Sequence, residues 1–211
     1  MKNYFIIGGT SGIGYEILMH AIKKKNKVCF TYYQNSKLAK QITNSNPNVK
    51  AFKLNLKSEK NIYNTLKNSK KFLKRFDVVI LCSLKYLKRN SFAKIKIKDF
   101  EDFYSYNFFG YIKILKYLLK FQKKNIKILN LSSYVLKSHS AGLTFYNSYK
   151  SAIEELFLTL SNEYKDVEFK NIRLGKYNTN GYKKTNSSYL NNKLYGLKSP
   201  MIAAKRVIKN I

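Results

Sequence analysis

Tyr146 and Lys150 stand four residues apart in the run Tyr-Asn-Ser-Tyr-Lys. The apolar spacing around them predicts a helix over 146–163, which brings both side chains onto one face. A phenol ionises near pH 10, so it is a poor proton donor or acceptor at neutral pH unless a cation stabilises its anion. Lys150 is placed to supply that cation, and lowering a phenol pKa by ~3 units corresponds to about 4 kcal/mol of differential stabilisation. Thirteen residues earlier, Ser133 follows a short apolar run at 126–131. That position is the carboxyl end of a strand, where parallel sheets bind their ligands. Asn107 lies inside a long helical pattern, where its propensity is poor and a structural or functional reason is expected.

A second constellation opens the chain. The apolar residues 4–7 run into Gly8-Gly9-Thr10-Ser11-Gly12-Ile13-Gly14, and a helical pattern follows. Glycines spaced G-x3-G-x-G allow a tight turn whose backbone N–H groups meet a pyrophosphate at a helix N-terminus. After the next strand the chain reads Thr31-Tyr32-Tyr33-Gln34-Asn35-Ser36-Lys37, without an acid. An acid there holds ribose hydroxyls and repels a 2′-phosphate, so its absence favours NADPH over NADH. Lys37 and the hydroxyls of Ser11 and Ser36 are candidate phosphate partners.

These groups need elements to position them. Strand-like runs fall at 4–7, 28–32, 49–54, 77–82, 126–131 and 167–173, and amphipathic helical patterns at 13–24, 58–73, 99–122, 146–163 and 200–208. Short apolar strands alternating with helices predict an α/β fold, a doubly wound parallel sheet in order 3-2-1-4-5-6, as one domain over 1–211. The stretch 176–198 is rich in Asn, Tyr, Lys and Ser with little apolar period, and reads as a lid over the substrate.

Composition narrows the partners. The 41 basic and 11 acidic residues give a net charge of +30, but only Arg75, Arg89, Arg173 and Arg206 are arginines. Arg is the residue suited to bidentate reading of bases and phosphates. Dispersed lysines read as a solvated surface that steers anionic substrates, and neither nucleic acid nor a membrane is expected as partner. Cys29 and Cys82 are 53 positions apart, and His20 and His139 are isolated, so neither a disulfide framework nor a metal site is expected. No apolar run has the length of a membrane helix or a secretory signal, and a cytoplasmic protein with nothing to be cleaved is expected.

Taken together, Gly8/Gly12/Gly14, Asn107, Ser133, Tyr146 and Lys150 resemble, in order and spacing, the short-chain dehydrogenase/reductase family. The resemblance runs along nearly the whole chain, including Ile128-Leu129-Asn130-Leu131-Ser132-Ser133 and the Ile172-Arg173-Leu174-Gly175 stretch with Thr179 beyond it. It implies an NAD(P)-binding Rossmann domain that moves hydride between nicotinamide and a carbonyl/alcohol pair. Tyr146 would be the general acid/base, Ser133 would hydrogen-bond the substrate oxygen, Lys150 would lower the Tyr146 pKa and hold the ribose, and Asn107 would anchor a relay water. It also implies that Gly8, Thr10, Ser11, Gly12, Ile13, Gly14, Tyr33, Asn55, Leu56, Cys82, Ser83 and Thr179, with Tyr146 and Lys150, hold the cofactor, expected to be NADPH.

Three departures stand out. The family's N-N-A-G after the fourth strand reads Leu81-Cys82-Ser83-Leu84, the acid ending the third strand is Asn55, and a seventh strand is expected to be missing. A non-catalytic dinucleotide-binding or sensor protein on the same fold is the alternative. The substrate is expected to be a small carbonyl or alcohol compound of polar or anionic character. Phe103, Tyr106, Phe109, Tyr117 and Phe157 are more aromatic surface than one sheet face covers, and a homodimer through 99–122 and 146–163 is expected.

Overall fold

The computed structural model describes residues 1–185 and 197–211. Six strands, β1 Asn3–Ile7, β2 Lys27–Tyr32, β3 Val49–Lys53, β4 Val78–Leu81, β5 Ile126–Ser133 and β6 Val167–Leu174, form one sheet in the order β3-β2-β1-β4-β5-β6. Every neighbouring pair is parallel. The helices are α1 Gly12–Lys23, α2 Ser36–Asn44, α3 Glu59–Leu73, α4 Ile97–Phe121, α5 Val135–Ser138, α6 Thr144–Glu163, α7 Asn180–Thr185 and α8 Pro200–Ile208. Among them none is long and apolar enough to cross a membrane, and the described residues hold no group of His, Cys, Asp and Glu that could bind a metal ion.

The strand pleat sends alternate side chains to opposite faces. Phe5, Ile7, Val79, Leu81 and Ile128 pack beneath α3, α4 and α6, against Leu66, Leu115, Leu118, Ile153 and Phe157. Tyr4, Ile6, Val78, Ile80 and Leu129 face α1 and α8, against Ile17, Leu18, Ala204 and Val207. β4, with all four residues buried, lies between β1 and β5. Each such side chain contributes about 1.5–3 kcal/mol by leaving water, so two continuous apolar faces hold the sheet that carries the site at its carboxyl edge.

The expected strand order and helices are present, with boundaries shifted by at most two residues. α2 was not expected: its apolar content is small, and Asn35 starts it by accepting from the Leu38 N–H at 3.4 Å. β5 and β6 extend further than the apolar runs suggest because the two strands pair through eight positions, from Ile126–Val167 to Ser133–Leu174. Six strands are present among the described residues. Of the expected lid, α7 and a bridge between Tyr177 and Lys198 are seen, and 186–196 lie outside the described residues.

The expected aromatic surplus is corrected. Phe103 and Phe157 are buried in the core. Tyr106 faces Ser83 and Tyr33, and the Tyr117 hydroxyl donates to the Glu59 carboxylate. Phe109 alone of the five is strongly exposed, at 51%, and Leu158 on α6 joins it at 57%.

Candidate active site

The glycine turn is built by backbone contacts that exclude side chains. Gly8 has φ +91° and donates its N–H to Thr31 Oγ1 at 3.0 Å, while the Gly9 N–H donates to the Thr31 carbonyl at 2.9 Å. Thr31 is thus the anchor of the turn, a role its place in an apolar strand did not reveal. A Cβ on Gly14 would stand 2.1 Å from the Gly8 carbonyl oxygen, and one on Gly8 would stand 2.9 Å from Ser83 Cα and N. The Leu81–Leu84 loop, which lacks the glycine that the family places against the cofactor, packs on the turn: Gly8 leaves room for Ser83, and Cys82 Cβ lies against Gly14.

Ser11 precedes α1 in extended backbone without a side-chain capping bond, and the first turn of α1 has no acid. The first N–H groups of a helix lack intrahelical partners, and the helix dipole favours an anion there. Thr179 reaches across from beyond β6, its Cγ2 3.4 Å from where a Cβ on Gly12 would be. Its Oγ1 accepts the Tyr182 N–H at 3.1 Å, which seats it at the start of α7. A cradle that Cβ atoms would fill, at an uncapped helix start, fits a dinucleotide pyrophosphate. Gly8, Thr10, Ser11, Gly12, Ile13, Gly14, Cys82, Ser83 and Thr179 all lie in the segments that meet here.

The other expected cofactor residues divide. Tyr33 is 46% exposed and stands edge-on to Tyr106, 6.5 Å between ring centres. Asn55 uses its Oδ1 to accept the Lys57 N–H at 3.0 Å and its own N–H to reach Asn61. Leu56 is buried against Gly110, so its side chain belongs to the core and is not offered to a ligand.

Ser133 ends β5 and Tyr146 and Lys150 lie on the first turns of α6, so strand and helix bring the three together at the sheet edge. Burial pushes the Tyr146 phenol up to about 12, against the lowering effect of its hydrogen bond with Ser133, and the nearby Tyr86 phenol adds to the rise. Burial brings Lys150 down to about 8, with Cys82 and Glu154 opposing. Its Nζ donates to the Leu131 carbonyl at 2.5 Å and lies 5.8 Å from the Tyr146 ring centre. The expected lowering of the Tyr146 pKa by Lys150 is therefore not what this arrangement gives. The lysine is itself drawn toward neutrality, its proton is held by a strand carbonyl, and desolvation dominates the phenol.

Asn107 is fully buried on α4. Its Oδ1 accepts the Lys85 N–H at 2.8 Å, and its Nδ2 donates to the Lys85 and Phe103 carbonyls, both at 3.0 Å. The mid-helix Asn thus holds the loop between β4 and α4, and both of its side-chain N–H groups are spent on protein. That loop has further ties. The Tyr111 hydroxyl donates to the Ser83 carbonyl, Arg89 Nε to the Ala141 carbonyl at 2.7 Å, and the Asn90 N–H to the Gly142 carbonyl at 3.1 Å. Behind Lys150, Arg173 grips Glu154 with Nε and Nη2, at 2.9 and 2.6 Å.

Comparison with known proteins agrees with this geometry. A family model described as short chain dehydrogenase matches residues 2–190. No curated protein sequence matches significantly. Among solved structures, a short-chain dehydrogenase from Streptomyces avermitilis is 19% identical with a TM-score of 0.85, over 99% of this chain and 83% of that one. ElxO with NADP bound is 23% identical with a TM-score of 0.86, over 99% and 90%. A 3-ketoacyl-(acyl-carrier-protein) reductase from Brucella melitensis, complexed with NADH, is 16% identical with a TM-score of 0.87, over 98% and 89%. At these identities the likeness is one of fold.

Proposed function

The chain belongs to the short-chain dehydrogenase family, an oxidoreductase family, and on that premise we propose that it is an NADPH-dependent carbonyl reductase. The observation that carries the reading is the meeting of Ser133, Tyr146 and Lys150 at the sheet edge that also bears the Gly8–Gly14 cradle. The bound nicotinamide would supply the hydride.

The chain's own residues supply binding, orientation and a proton. Gly8, Gly12 and Gly14 admit a pyrophosphate to the start of α1, and Thr179 closes over it. Tyr33, Ser36 and Lys37 face the adenosine end without an acid, which favours NADPH. Ser133 orients the substrate carbonyl through a hydrogen bond to its oxygen. Tyr146, protonated throughout the neutral range, gives its phenolic proton to that oxygen. General acid catalysis of this kind is worth about 10²–10⁴-fold. Lys150 holds ribose hydroxyls and takes part in returning a proton to Tyr146. Asn107 acts as a positioning residue through Lys85.

The substrate is read as polar or anionic, in keeping with the net charge of +30. A homodimer through the α4 and α6 faces that expose Phe109 and Leu158 completes the reading. Consumption of NADPH with a panel of carbonyl compounds, repeated with Tyr146→Phe, tests it. A loss of at least about 10²-fold with unchanged NADPH affinity is expected. A tenfold preference for NADH, about 1.4 kcal/mol, would overturn the choice of cofactor. The rival reading, a non-catalytic dinucleotide sensor, draws on the commitment of Lys150 to Leu131. It gains if NADPH binds tightly and no carbonyl is reduced.

A further inference from the structure

Among the described residues, Phe92 and Ile97 are the most exposed large apolar side chains after Met1, at 64% and 72%. Both lie in the stretch that joins β4 to α4. Phe92 opens a single 3₁₀ turn, Phe92–Lys94, and Ile97 is the first residue of α4. The chain between and around them reads Ser91-Phe92-Ala93-Lys94-Ile95-Lys96-Ile97-Lys98. No acid occurs between Asp77 and Asp99, while Lys85, Lys88, Arg89, Lys94, Lys96 and Lys98 fall inside that interval. Lys94, Lys96 and Lys98 are exposed. Of the acids that follow, Asp99 and Glu101 lie in the first turns of α4, and Asp102 is already held by Lys57 and Lys85.

The exposure belongs to a seated loop. Leu84, Leu87, Ile95 and Phe100 pack on the core. Asn107 fixes Lys85 through its N–H and carbonyl. Arg89 Nε donates to the Ala141 carbonyl at 2.7 Å, and the Asn90 N–H donates to the Gly142 carbonyl at 3.1 Å. Gly142 has φ +76°, and a Cβ there would lie 2.9 Å from Arg89 Cγ, so this tie is also a tight backbone fit. The 3₁₀ turn closes with the Lys94 N–H on the Ser91 carbonyl at 3.0 Å and the Ile95 N–H on the Phe92 carbonyl at 3.1 Å. Ile95 thus turns inward, and Phe92 and Ile97 on either side of it are left in water.

Exposed apolar side chains interleaved with lysines match a surface that is at once apolar and anionic. The outer layer of a bilayer containing acidic phospholipids is such a surface. Apolar tips enter the acyl boundary, lysine stems lie along it, and the ammonium groups stay at the level of the phosphates. A second copy of this chain is a poor occupant, because it would set the same lysines against one another. Nucleic acid would use the lysines and leave Phe92 and Ile97 in water. The expectation that no membrane is a partner drew on lysines dispersed over the whole chain, and here three of them are gathered about two apolar side chains. A contact with the surface of a bilayer needs no spanning helix.

We propose that the segment Ser91–Lys98 is a membrane-surface anchor: Phe92 and Ile97 enter the interface of an anionic bilayer, and Lys94, Lys96 and Lys98 lie on its headgroups. The proposal does not depend on which reaction the cleft carries out.

Co-sedimentation of the full chain with vesicles tests it, at physiological salt. One set of vesicles is phosphatidylcholine alone, and the other is equal parts of phosphatidylcholine and phosphatidylglycerol. A net charge of +30 draws any face of the chain toward anionic lipid, so the decisive variants are compared in pairs. Phe92→Ser/Ile97→Ser keeps the charge and is expected to weaken binding to the anionic vesicles at least about tenfold. Met201→Ser/Ile202→Ser alters another exposed apolar pair, on α8, and is expected to leave binding nearly unchanged. Lys94→Gln/Lys96→Gln/Lys98→Gln is likewise expected to cost at least about tenfold. Lys60→Gln/Lys67→Gln/Lys71→Gln removes the same charge from the exposed face of α3 and is expected to cost far less. Equal losses within either pair would mean attraction without a site and would overturn the proposal. So would equal binding to both kinds of vesicle, or binding to neither.

Insertion has its own readout. The chain has no tryptophan, so Phe92→Trp places a single reporter in the patch. Its emission should move to the blue on anionic vesicles and be quenched by brominated acyl chains. Unchanged emission from protein that sediments with the vesicles would overturn the proposal. Light scattering of Phe92→Ser/Ile97→Ser covers the remaining occupant. A halved mass, in a chain that never bound vesicles, would make the patch a contact between copies, and the membrane anchor would fall.

Discussion

Lys150 and Tyr146 occupy successive turns of one helix, and the Lys150 ammonium, over the Tyr146 ring, donates to the Leu131 carbonyl at 2.5 Å. The distance from Nζ to the Tyr146 ring centre is 5.8 Å. Burial thus acts on both groups separately, raising the phenol to about 12 and lowering the lysine to about 8. In the oxidation direction Tyr146 must first lose its proton. The logarithm of kcat/KM for an alcohol should therefore climb with a slope near one between pH 8 and 11. A plateau beginning below pH 8 would show that the phenol ionises far more easily than this arrangement allows.

The same two groups shape stability against pH. Lys150 is depressed from 10.5 to about 8 in the fold, so the unfolded chain binds the extra proton between those values, and stability rises with pH there. Tyr146 is raised from 10.0 to about 12, so its contribution is complete below pH 10 and is lost as pH rises toward 12. Burial raises the Cys29 and Cys82 thiols to about 12, and their contributions fall with pH over the upper part of the same range. The lysine's share is therefore read as a difference: in urea unfolding across pH 8 to 10, the stability of the wild type relative to Lys150→Met should rise with pH, and a difference that stays constant or falls would contradict the lysine's depressed pKa.

Gly14→Ala should be among the most damaging single changes, because its methyl would meet the Gly8 carbonyl oxygen at 2.1 Å. That oxygen is backbone and cannot swing aside. A loss of more than about 3 kcal/mol, in the upper range for point mutants, is expected by chemical denaturation. NADPH binding should weaken with it, since the turn and the first N–H groups of α1 must move together.

Asn107→Ala should free the loop around Lys85. It leaves the part-buried Lys85 N–H and carbonyl without their protein partner, which costs about 1 kcal/mol for each lost hydrogen bond. Hydrogen exchange should quicken at the Lys85 amide and its neighbours while β1 and β5 stay protected. Uniform quickening across the sheet would instead indicate general destabilisation.

Phe109→Glu should convert a dimer to monomers, measured by light scattering at physiological salt. The alteration sits on a side chain that is 51% exposed, so the fold should be intact by circular dichroism. A dimer that persists would place the interface elsewhere. Added salt should raise the thermal midpoint of the wild type, because screening relieves repulsion within a chain of net charge +30.

Much of this was legible in the chain because it rests on local patterns. Phe5, Ile7, Val79 and Leu81 announce buried strands by type and alternation, and Gly8, Gly12 and Gly14 announce a turn that only glycine can make. Tyr146 and Lys150 share a helix face by spacing alone. What stayed hidden depends on contacts between distant segments. The direction of the Lys150 side chain is decided by the Leu131 carbonyl, 19 residues away. The room that the loop after β4 needs at Ser83 is provided by Gly8, in the turn after β1. Phe103 and Phe157 look like surface surplus until Phe145 and Tyr149, or Phe169, are set against them. Tyr86 carries no motif, and only the fold brings it to Gly181.

Thr179 and Gly181 are two residues apart, and they touch opposite halves of the cleft. Thr179 leans over Gly12 at the start of α1, and Gly181 lies against the ring tip of Tyr86, on the loop after β4. Whatever settles at Gly12 presses first on Thr179, and through the start of α7 on the seat of Tyr86. The order of events in turnover follows from that adjacency. The dinucleotide should enter an open cleft and leave last, with the carbonyl compound admitted only after the first ligand has set the position of α7. Initial-rate patterns with product inhibition should accordingly be sequential and ordered, with NADP competing against NADPH and the alcohol not competing with it.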